Sequence, residues 1–203
     1  MATGAVRPGR SESPRYRPAM ASTRYLALLR GINVGGRNLV PMAELRSAFE
    51  EAGYDAVSTY IQSGNVLFET AAPRAGLEDD IEALLERRFS IPLMVVVRSH
   101  AQLKRVVGKA PEGFGAAPDT YHSDVVFLKP PLTSRQAMGV VKLRDEVDQA
   151  WSGTGVLYFA RLSARRTQSR MSSIMGTPEY QRMTIRSWAT TTKILALLDA
   201  RCD

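Results

Sequence analysis

Apolar and polar positions along the first half of the chain predict six elements in the order strand, helix, strand, strand, helix, strand. Residues 24–30 read as a strand, and its residues 26–29 are apolar without alternation, which is typical of a strand buried on both faces. Ser63-Gly64 separates two β-rich runs, which is a signal for a hairpin. The predicted elements are strand 24–30, helix 41–53, strands 57–62 and 65–70, helix 77–89 and strand 93–98. This order is that of a split βαβ unit.

The second half of the chain predicts the same order again, although the two halves do not align residue by residue. Its predicted elements are helix 101–107, strand 123–129, helix 134–143, the strand pair 146–151 and 156–162, helix 163–175, strand 182–187 and a closing helix 188–199. We therefore predict an α+β protein of two ferredoxin-like (split βαβ, βαββαβ) units packed together, with a C-terminal helix. Residues 20–98 would form the first unit and residues 99–203 the second, within one globule whose sheets cover each other.

The net charge of +7 invites a nucleic-acid interpretation, but its distribution along the chain weakens that interpretation. Residues 1–19 carry four arginines against one glutamate, with three prolines and no apolar periodicity, so we expect a disordered basic tail. Met20 opens a segment that resembles a native start, and the tail is either an over-called start or a transit peptide. Residues 20–98 carry a net charge of −2, and residues 99–203 carry +6.

The sequence predicts neither a membrane-spanning segment nor an intrachain disulfide. The longest purely apolar stretches, residues 93–97 and 194–198, fall far short of the roughly 18–20 residues that span a bilayer. The single cysteine, Cys202, can form neither an intrachain disulfide nor a cysteine-based metal site. We therefore expect a cytoplasmic protein without a membrane partner, a metal or a cofactor.

Two motifs carry a resemblance to a known family. The first covers residues 24–68 and contains ALLRGINVGGRN, PMAELRSAFEEAGY and STYIQSGNVLF; the second covers residues 176–180 and 184–188, which read GTPEY and TIRSW. Together they resemble an uncharacterised bacterial family, domain of unknown function 1697, in which an asparagine more usually stands at the position of Ser187. The resemblance implies a compact α+β fold in a soluble bacterial protein. It brings no established reaction, substrate or catalytic residue.

The main candidate for a ligand site is the glycine- and asparagine-rich loop between the first strand and the first helix. A helix N-terminus favours an anion, and glycine lets the backbone curl around one. The spacing matches neither the dinucleotide fingerprint nor the Walker motif. The alternative is that the three glycines serve only the backbone angles of a long surface loop. The candidate residues here are Arg30, Gly31, Asn33, Gly35, Gly36, Arg37 and Asn38.

Topology predicts that a hairpin tip lies beside this loop. In a split βαβ sheet the first and second strands run in the same direction, so the loop after the first and the tip after the second lie at the same end. The tip adds the candidate residues Tyr60, Gln62, Ser63, Gly64 and Asn65. Convergent amides with an arginine suit a phosphate, a carboxylate or a nucleotide. A well-made turn would by itself explain only Gly64.

A second candidate is a basic face. Its residues are Arg165, Arg166, Arg170 and Arg186. Arg166 and Arg170 are four residues apart, so they would share one face of the predicted helix 163–175. Such a face can track a phosphate backbone, and it can equally be the solvated face of a helix.

The closing helix offers a cap and an aromatic anchor. Ser187 is placed where it could cap this helix. Trp188 either anchors the helix in the core or stacks on a base.

Residues with catalytic potential are few. His100 and His122 are the two histidines, and neither lies in a metal-binding spacing. No nucleophile elbow or kinase signature occurs. Three functions stay open: binding of an anionic small molecule or nucleic acid at the Gly/Asn-rich loop, catalysis on a small phosphorylated or carboxylated substrate, and an interaction module for a partner protein. We rank binding first, and the sequence leaves the oligomeric state open.

Overall fold

The structure is a computed structural model that describes residues 22–36 and 38–202. The predicted basic tail, residues 1–19, and the loop residue Arg37 lie outside the described residues. In the described part of the chain, no helix is both long and apolar enough to cross a membrane.

The first part of the described chain forms one sheet with two helices. Its elements are β1 (Thr23–Leu29), α1 (Met42–Glu51), β2 (Asp55–Tyr60), β3 (Asn65–Thr70), α2 (Leu77–Phe89) and β4 (Val95–Ser99). All neighbouring strands pair antiparallel, in the order β2-β3-β1-β4. The element order is the predicted one, and α2 has the predicted bounds.

The chain then forms a second sheet. Its elements are α3 (His100–Gly108), β5 (Tyr121–Leu128), α4 (Ser134–Val140), β6 (Asp148–Gly153), β7 (Val156–Leu162), β8 (Met183–Ser187) and α5 (Trp188–Asp199). The strands pair antiparallel in the order β6-β7-β5-β8, so each takes the place of its counterpart in the first sheet. The predicted α+β class with two four-stranded antiparallel sheets is confirmed.

The predicted helix 163–175 is wrong. In its place lie two short 3-10 segments, Ser163–Gln168 and Met171–Gly176, and a third, Pro178–Arg182, follows them. The Ser169 hydroxyl accepts a hydrogen bond from Met171 N at 3.2 Å. The buried Asp148 carboxylate accepts one from Arg170 N at 2.8 Å. Because side chains here bind main-chain N–H groups, they compete with the hydrogen bonds of an α-helix.

The alternation of side chains along β1 explains why residues 26–29 of this strand are all apolar. Ala27 and Leu29 pack in a core with α1 and α2. Leu26 and Leu28 pack in a central core that both sheets share with α3 and α5. A third core lies between the second sheet, α4 and the 3-10 segments. The first sheet is therefore covered on both faces, as its apolar runs predict.

Helix α5 begins as the sequence indicates. The Ser187 hydroxyl accepts a hydrogen bond from Thr190 N at 3.2 Å and so caps the helix. The Trp188 ring meets Phe114 edge-on with centroids 5.1 Å apart, at the border of the central core. Of the two interpretations of Trp188, this contact favours the anchor in the core.

Candidate functional site

The loop after β1 and the hairpin tip after β2 lie at the same end of the first sheet. Both strands pair antiparallel with β3 and therefore run in the same direction. The loop and the tip touch, because Asn33 Nδ2 donates a hydrogen bond to Gln62 O at 3.0 Å. We call residues 30–38 together with residues 60–65 the loop-and-tip rim.

The asparagines of the loop bind the loop's own main chain. Asn33 Nδ2 donates to Val40 O at 3.0 Å, and Val40 N donates to Asn33 Oδ1 at 2.9 Å. Asn38 Nδ2 donates to Gly31 O at 3.0 Å. The loop glycines have positive φ: Gly31 (+68°), Gly35 (+59°) and Gly36 (+73°). These contacts and angles fit the alternative in which amides and glycines shape the loop.

Arg30 connects the two sequence motifs in space. Its Nη1 donates to Gln181 Oε1 at 3.2 Å, and its guanidinium carbon lies 4.6 Å from the centroid of the Tyr180 ring. Its main-chain N donates to Met94 O at 3.0 Å. Arg30, a candidate for anion binding in the sequence, is therefore already engaged by an aromatic ring and an amide.

The surface of the rim combines polar and apolar groups. Three large apolar side chains are exposed at the rim or next to it: Val34 (66%), Leu39 (68%) and Ile61 (49%). Gln62 is exposed as well, whereas Tyr60 is half-buried. The rim therefore offers solvent more apolar surface than the sequence suggested.

Arg186 is buried against the hairpin tip, so its assignment to an exposed basic face is wrong. From β8 its Nη2 donates to Leu29 O at 2.8 Å, Ser63 O at 2.7 Å and Gly64 O at 3.2 Å. Its Nε donates to Asn65 Oδ1 at 2.5 Å. Burial lowers the pKa of Arg186 to about 10, so the side chain stays charged at neutral pH. The tip residues hold this arginine in place of an outside ligand.

Arg98 makes the reciprocal contact in the other sheet. It is the fourth residue of β4, as Arg186 is of β8, and its Nη2 donates to Leu128 O at 2.6 Å and Gly155 O at 3.0 Å. Gly155 has a φ of +69°, close to the +73° of Gly64 at the first tip. Burial lowers the pKa of Arg98 to about 10 as well. Each sheet thus sends one arginine into the hairpin end of the other.

The hairpin end of the second sheet forms a cleft with a volume of about 530 Å³. It lies where α3 faces the loop after β5 and the tip between β6 and β7, which is the counterpart of the loop-and-tip rim. Four cations line it: Arg74, Arg98, Arg105 and Lys109. Among its described lining residues there is no carboxylate. We call this site the cationic cleft.

The four cations of the cleft differ in what they already bind. Glu78 lies 3.3 Å from Arg74 Nη2 and 3.8 Å from Arg98 Nη1, and so compensates part of their charge. Arg105 and Lys109 are exposed; Arg105 lies in the last turn of α3, and Lys109 is the residue that follows the helix, where its N donates to Arg105 O at 2.9 Å. In the described part of the chain neither of these two forms an ion pair. They are the cations open to a ligand.

The remaining residues of the predicted basic face do not lie on an α-helix. Arg165 belongs to the first 3-10 segment, where its Nε donates to Gln168 Oε1 at 3.2 Å. Arg166 is exposed in the same segment, and Arg170 lies just before the second. Because no α-helix forms, the i,i+4 spacing of Arg166 and Arg170 does not place them on a common helix face.

Both histidines bind carboxylates. His100 Nε2 lies 2.6 Å from Asp199 Oδ1, and His122 Nε2 lies 3.2 Å from Asp124 Oδ1. Burial raises the pKa of Asp124, while Arg161 at 3.0 Å opposes that shift. Within the described ranges, no group of three or more His, Cys, Asp and Glu residues could hold a metal ion.

Sequence reasoning missed the cationic cleft because its residues are spread over residues 74–158. A signal for it was nevertheless present. The topological argument that joined loop and tip in the first sheet applies equally to the second sheet, where it joins the loop after β5 to the tip at Thr154.

Comparisons with known proteins give a family but no activity. A family model described as "Protein of unknown function (DUF1697)" matches residues 22–158. No curated protein matches the sequence. Among solved structures, the conserved bacterial protein SP0830 from Streptococcus pneumoniae is similar, with 27% sequence identity and a TM-score of 0.76. The match covers 88% of this chain and 99% of that one. The chain belongs to the DUF1697 family.

Proposed function

We propose that this protein binds a small anionic ligand in the cationic cleft. The observation that carries the proposal is the placement of four cations, Arg74, Arg98, Arg105 and Lys109, around one cavity without a carboxylate among its described lining residues. Glu78 compensates only part of this charge from behind Arg74 and Arg98. A concave site with an excess of arginine and lysine attracts and orients anions.

The size of the cleft favours a small molecule over a nucleic acid. A volume of about 530 Å³ lies within the range of small-molecule sites, roughly 300–1,000 Å³. A nucleic-acid backbone needs cations spaced along an extended groove, and the predicted basic face does not provide one. We therefore prefer the small anion to the nucleic acid among the expected partners.

The loop-and-tip rim stays a predicted anion site of second rank. Its asparagine amides and Arg30 are engaged within the protein. Its exposed Val34, Leu39 and Ile61 instead favour the interaction module as the second candidate function. An enzymatic role has less support, because the described lining of the cleft includes hydroxyl groups, such as that of Ser134, but neither histidine nor carboxylate.

We also propose the type of each structural unit, the boundaries of the units and the location of the protein. We propose that each sheet with its helices is a ferredoxin-like split βαβ unit, which the strand order β2-β3-β1-β4 supports. We propose the unit boundaries 20–98 and 99–203, and a cytoplasmic location, for which the lone cysteine is the support.

The proposal is tested by isothermal titration of the full chain with inorganic pyrophosphate. In the double variant Arg105→Glu/Lys109→Glu we expect the Kd to rise at least tenfold, because both open cations become anions. The matched control is Lys104→Glu/Lys193→Glu, which makes the same charge change at exposed helix positions outside the cleft. We expect its Kd to change less than threefold.

Two outcomes would contradict this assignment. Equal weakening in both double variants would mean that pyrophosphate responds to net charge and not to the cleft. Loss of binding in Arg37→Glu/Gln62→Ala, with binding kept in Arg105→Glu/Lys109→Glu, would place the anion at the loop-and-tip rim.

A further inference from the structure

We infer that the ligand of the cationic cleft is an organic phosphate monoester whose uncharged part is aliphatic. This inference rests on the proposed function and adds the chemical class of the ligand. It comes from the combination of open cations and apolar side chains in the lining of one cleft.

The charged groups of the cleft come from one stretch of chain and most of the apolar groups from another. All four cations lie within residues 74–109, whereas Leu128, Pro131 and Leu132 belong to the end of β5 and the loop that follows. Val106, which follows Arg105 on α3, is the one apolar residue that residues 74–109 contribute to the described lining. A ligand that fills the cleft therefore meets both cations and hydrocarbon.

The open cations fit a single dianionic group. Arg98 is committed to the carbonyls of Leu128 and Gly155, which leaves Arg105 and Lys109 open at the C-terminal end of α3. A phosphate monoester carries a charge of about −1.5 to −2 at neutral pH. Two neighbouring cations match that charge without leaving an unpaired one.

An inorganic anion would leave the apolar part of the lining uncovered. Pro131 is exposed and Leu132 is half-buried, so both keep apolar surface in contact with water when the cleft holds only phosphate. Covering such surface stabilises a complex by about fourfold in Kd for each methylene that is buried.

The apolar part is aliphatic because the described lining offers no open aromatic face for a base. Its one aromatic residue, Tyr158, is buried, and its hydroxyl donates to Val106 O at 2.7 Å. Stacking on an aromatic side chain is the usual means of holding a nucleobase, so a nucleoside monophosphate fits less well.

The test is isothermal titration of the full chain with methyl phosphate, hexyl phosphate, 1-hexanol and adenosine monophosphate. We expect hexyl phosphate to bind at least tenfold more tightly than methyl phosphate and adenosine monophosphate, and 1-hexanol not to bind. In Arg105→Glu/Lys109→Glu, binding of both alkyl phosphates should weaken at least tenfold; in Lys104→Glu/Lys193→Glu it should not. Leu132→Asn should reduce the advantage of hexyl over methyl phosphate, and its melting temperature shows whether it folds. If it does not fold, the ligand series alone decides.

The outcomes separate the two proposals. Equal affinity for methyl and hexyl phosphate, or tighter binding of adenosine monophosphate, overturns the ligand class and leaves anion binding in place. Binding of 1-hexanol as tight as that of hexyl phosphate, or alkyl phosphate affinities that do not respond to Arg105→Glu/Lys109→Glu, overturns both. No binding of any phosphate, including pyrophosphate, overturns the proposed function itself.

Discussion

Arg186 and Arg98 are buried cations whose hydrogen bonds go mainly to main-chain carbonyls. Arg98 has Glu78 at 3.8 Å, whereas Arg186 donates to Leu29, Ser63 and Gly64 carbonyls and to the Asn65 amide. A buried charge is tolerated when its donors are all satisfied, and the planar guanidinium presents five donors in a fixed geometry. Charged hydrogen bonds therefore link the two sheets directly.

Replacing Arg186 tests that link. In Arg186→Ala the buried acceptors lose their donor, so we expect the free energy of unfolding to fall by at least about 3 kcal/mol in urea titrations. Arg186→Lys keeps the charge but not the fork of donors, and we expect an intermediate loss. The control is Arg170→Ala, an exposed side chain, with an expected change within about 0.5 kcal/mol. A loss no larger than that of the control would show that the carbonyls find water instead.

Two helices begin at equivalent points, directly after the last strand of each sheet. The Ser99 hydroxyl accepts a hydrogen bond from Gln102 N at 3.2 Å, and Gln102 Oε1 accepts one from Ser99 N at 2.9 Å, which together form a capping box on α3. Ser187 caps α5 in the equivalent place. Each cap turns the chain from a strand end into a helix that packs in the central core.

Removal of either cap should have a similar cost. We expect Ser99→Ala and Ser187→Ala each to lower the free energy of unfolding by about 1 kcal/mol, because one helix N–H loses its acceptor. The control is Ser172→Ala at an exposed position of the second 3-10 segment, where we expect a change within about 0.5 kcal/mol. Chemical denaturation followed by circular dichroism measures all three. Equal losses in all three variants would mean that serine-to-alanine exchange, and not capping, sets the cost.

Elements were predictable where one local signal dominates. Leu77, Ile81 and Leu85 are buried at helical spacing, and α2 has the predicted bounds. Residues 163–175 show a similar apolar spacing but form 3-10 segments. The carboxylate of Asp148 that binds Arg170 N belongs to strand β6, so the apolar spacing within residues 163–175 could not predict this contact.

The proximity of loop and tip in the rim was predictable because strand direction alone sets it. The sequence did not predict that Asn33, Asn38 and Arg30 donate their hydrogen bonds within the protein. Whether an arginine is exposed or buried depends on what its segment packs against in the fold. The sequence predicted a basic face that contained both Arg186 and Arg166, although Arg186 is buried and Arg166 is exposed. The cationic cleft needs the cations of residues 74–109 to meet residues 128–134 and Thr154, which only the packing of the two sheets brings about.

At the scale of the whole molecule, the two sheets share one core. The central core contains Leu26 and Val96 from the first sheet and Val125 and Tyr158 from the second. The arginines of β4 and β8 cross the same boundary in opposite directions. Separating the sheets would expose this core and leave two buried cations without their acceptors, so we expect neither sheet to unfold alone.

Tryptophan fluorescence can measure the coupling between the two sheets. Trp151 lies in β6 and Trp188 begins α5, so both report on the second sheet and the helix that follows it. Phe49 lies in the core that the first sheet forms with α1 and α2. Phe49→Ala leaves a cavity there and should cost about 3–5 kcal/mol. Tryptophan fluorescence then reports unfolding at a distance from the substitution, while far-ultraviolet circular dichroism reports the whole chain. We expect both midpoints in urea to fall together by the same amount. If the fluorescence midpoint instead stays at its wild-type value while the dichroism curve splits into two steps, the sheets unfold independently and the central core is not what holds the molecule together.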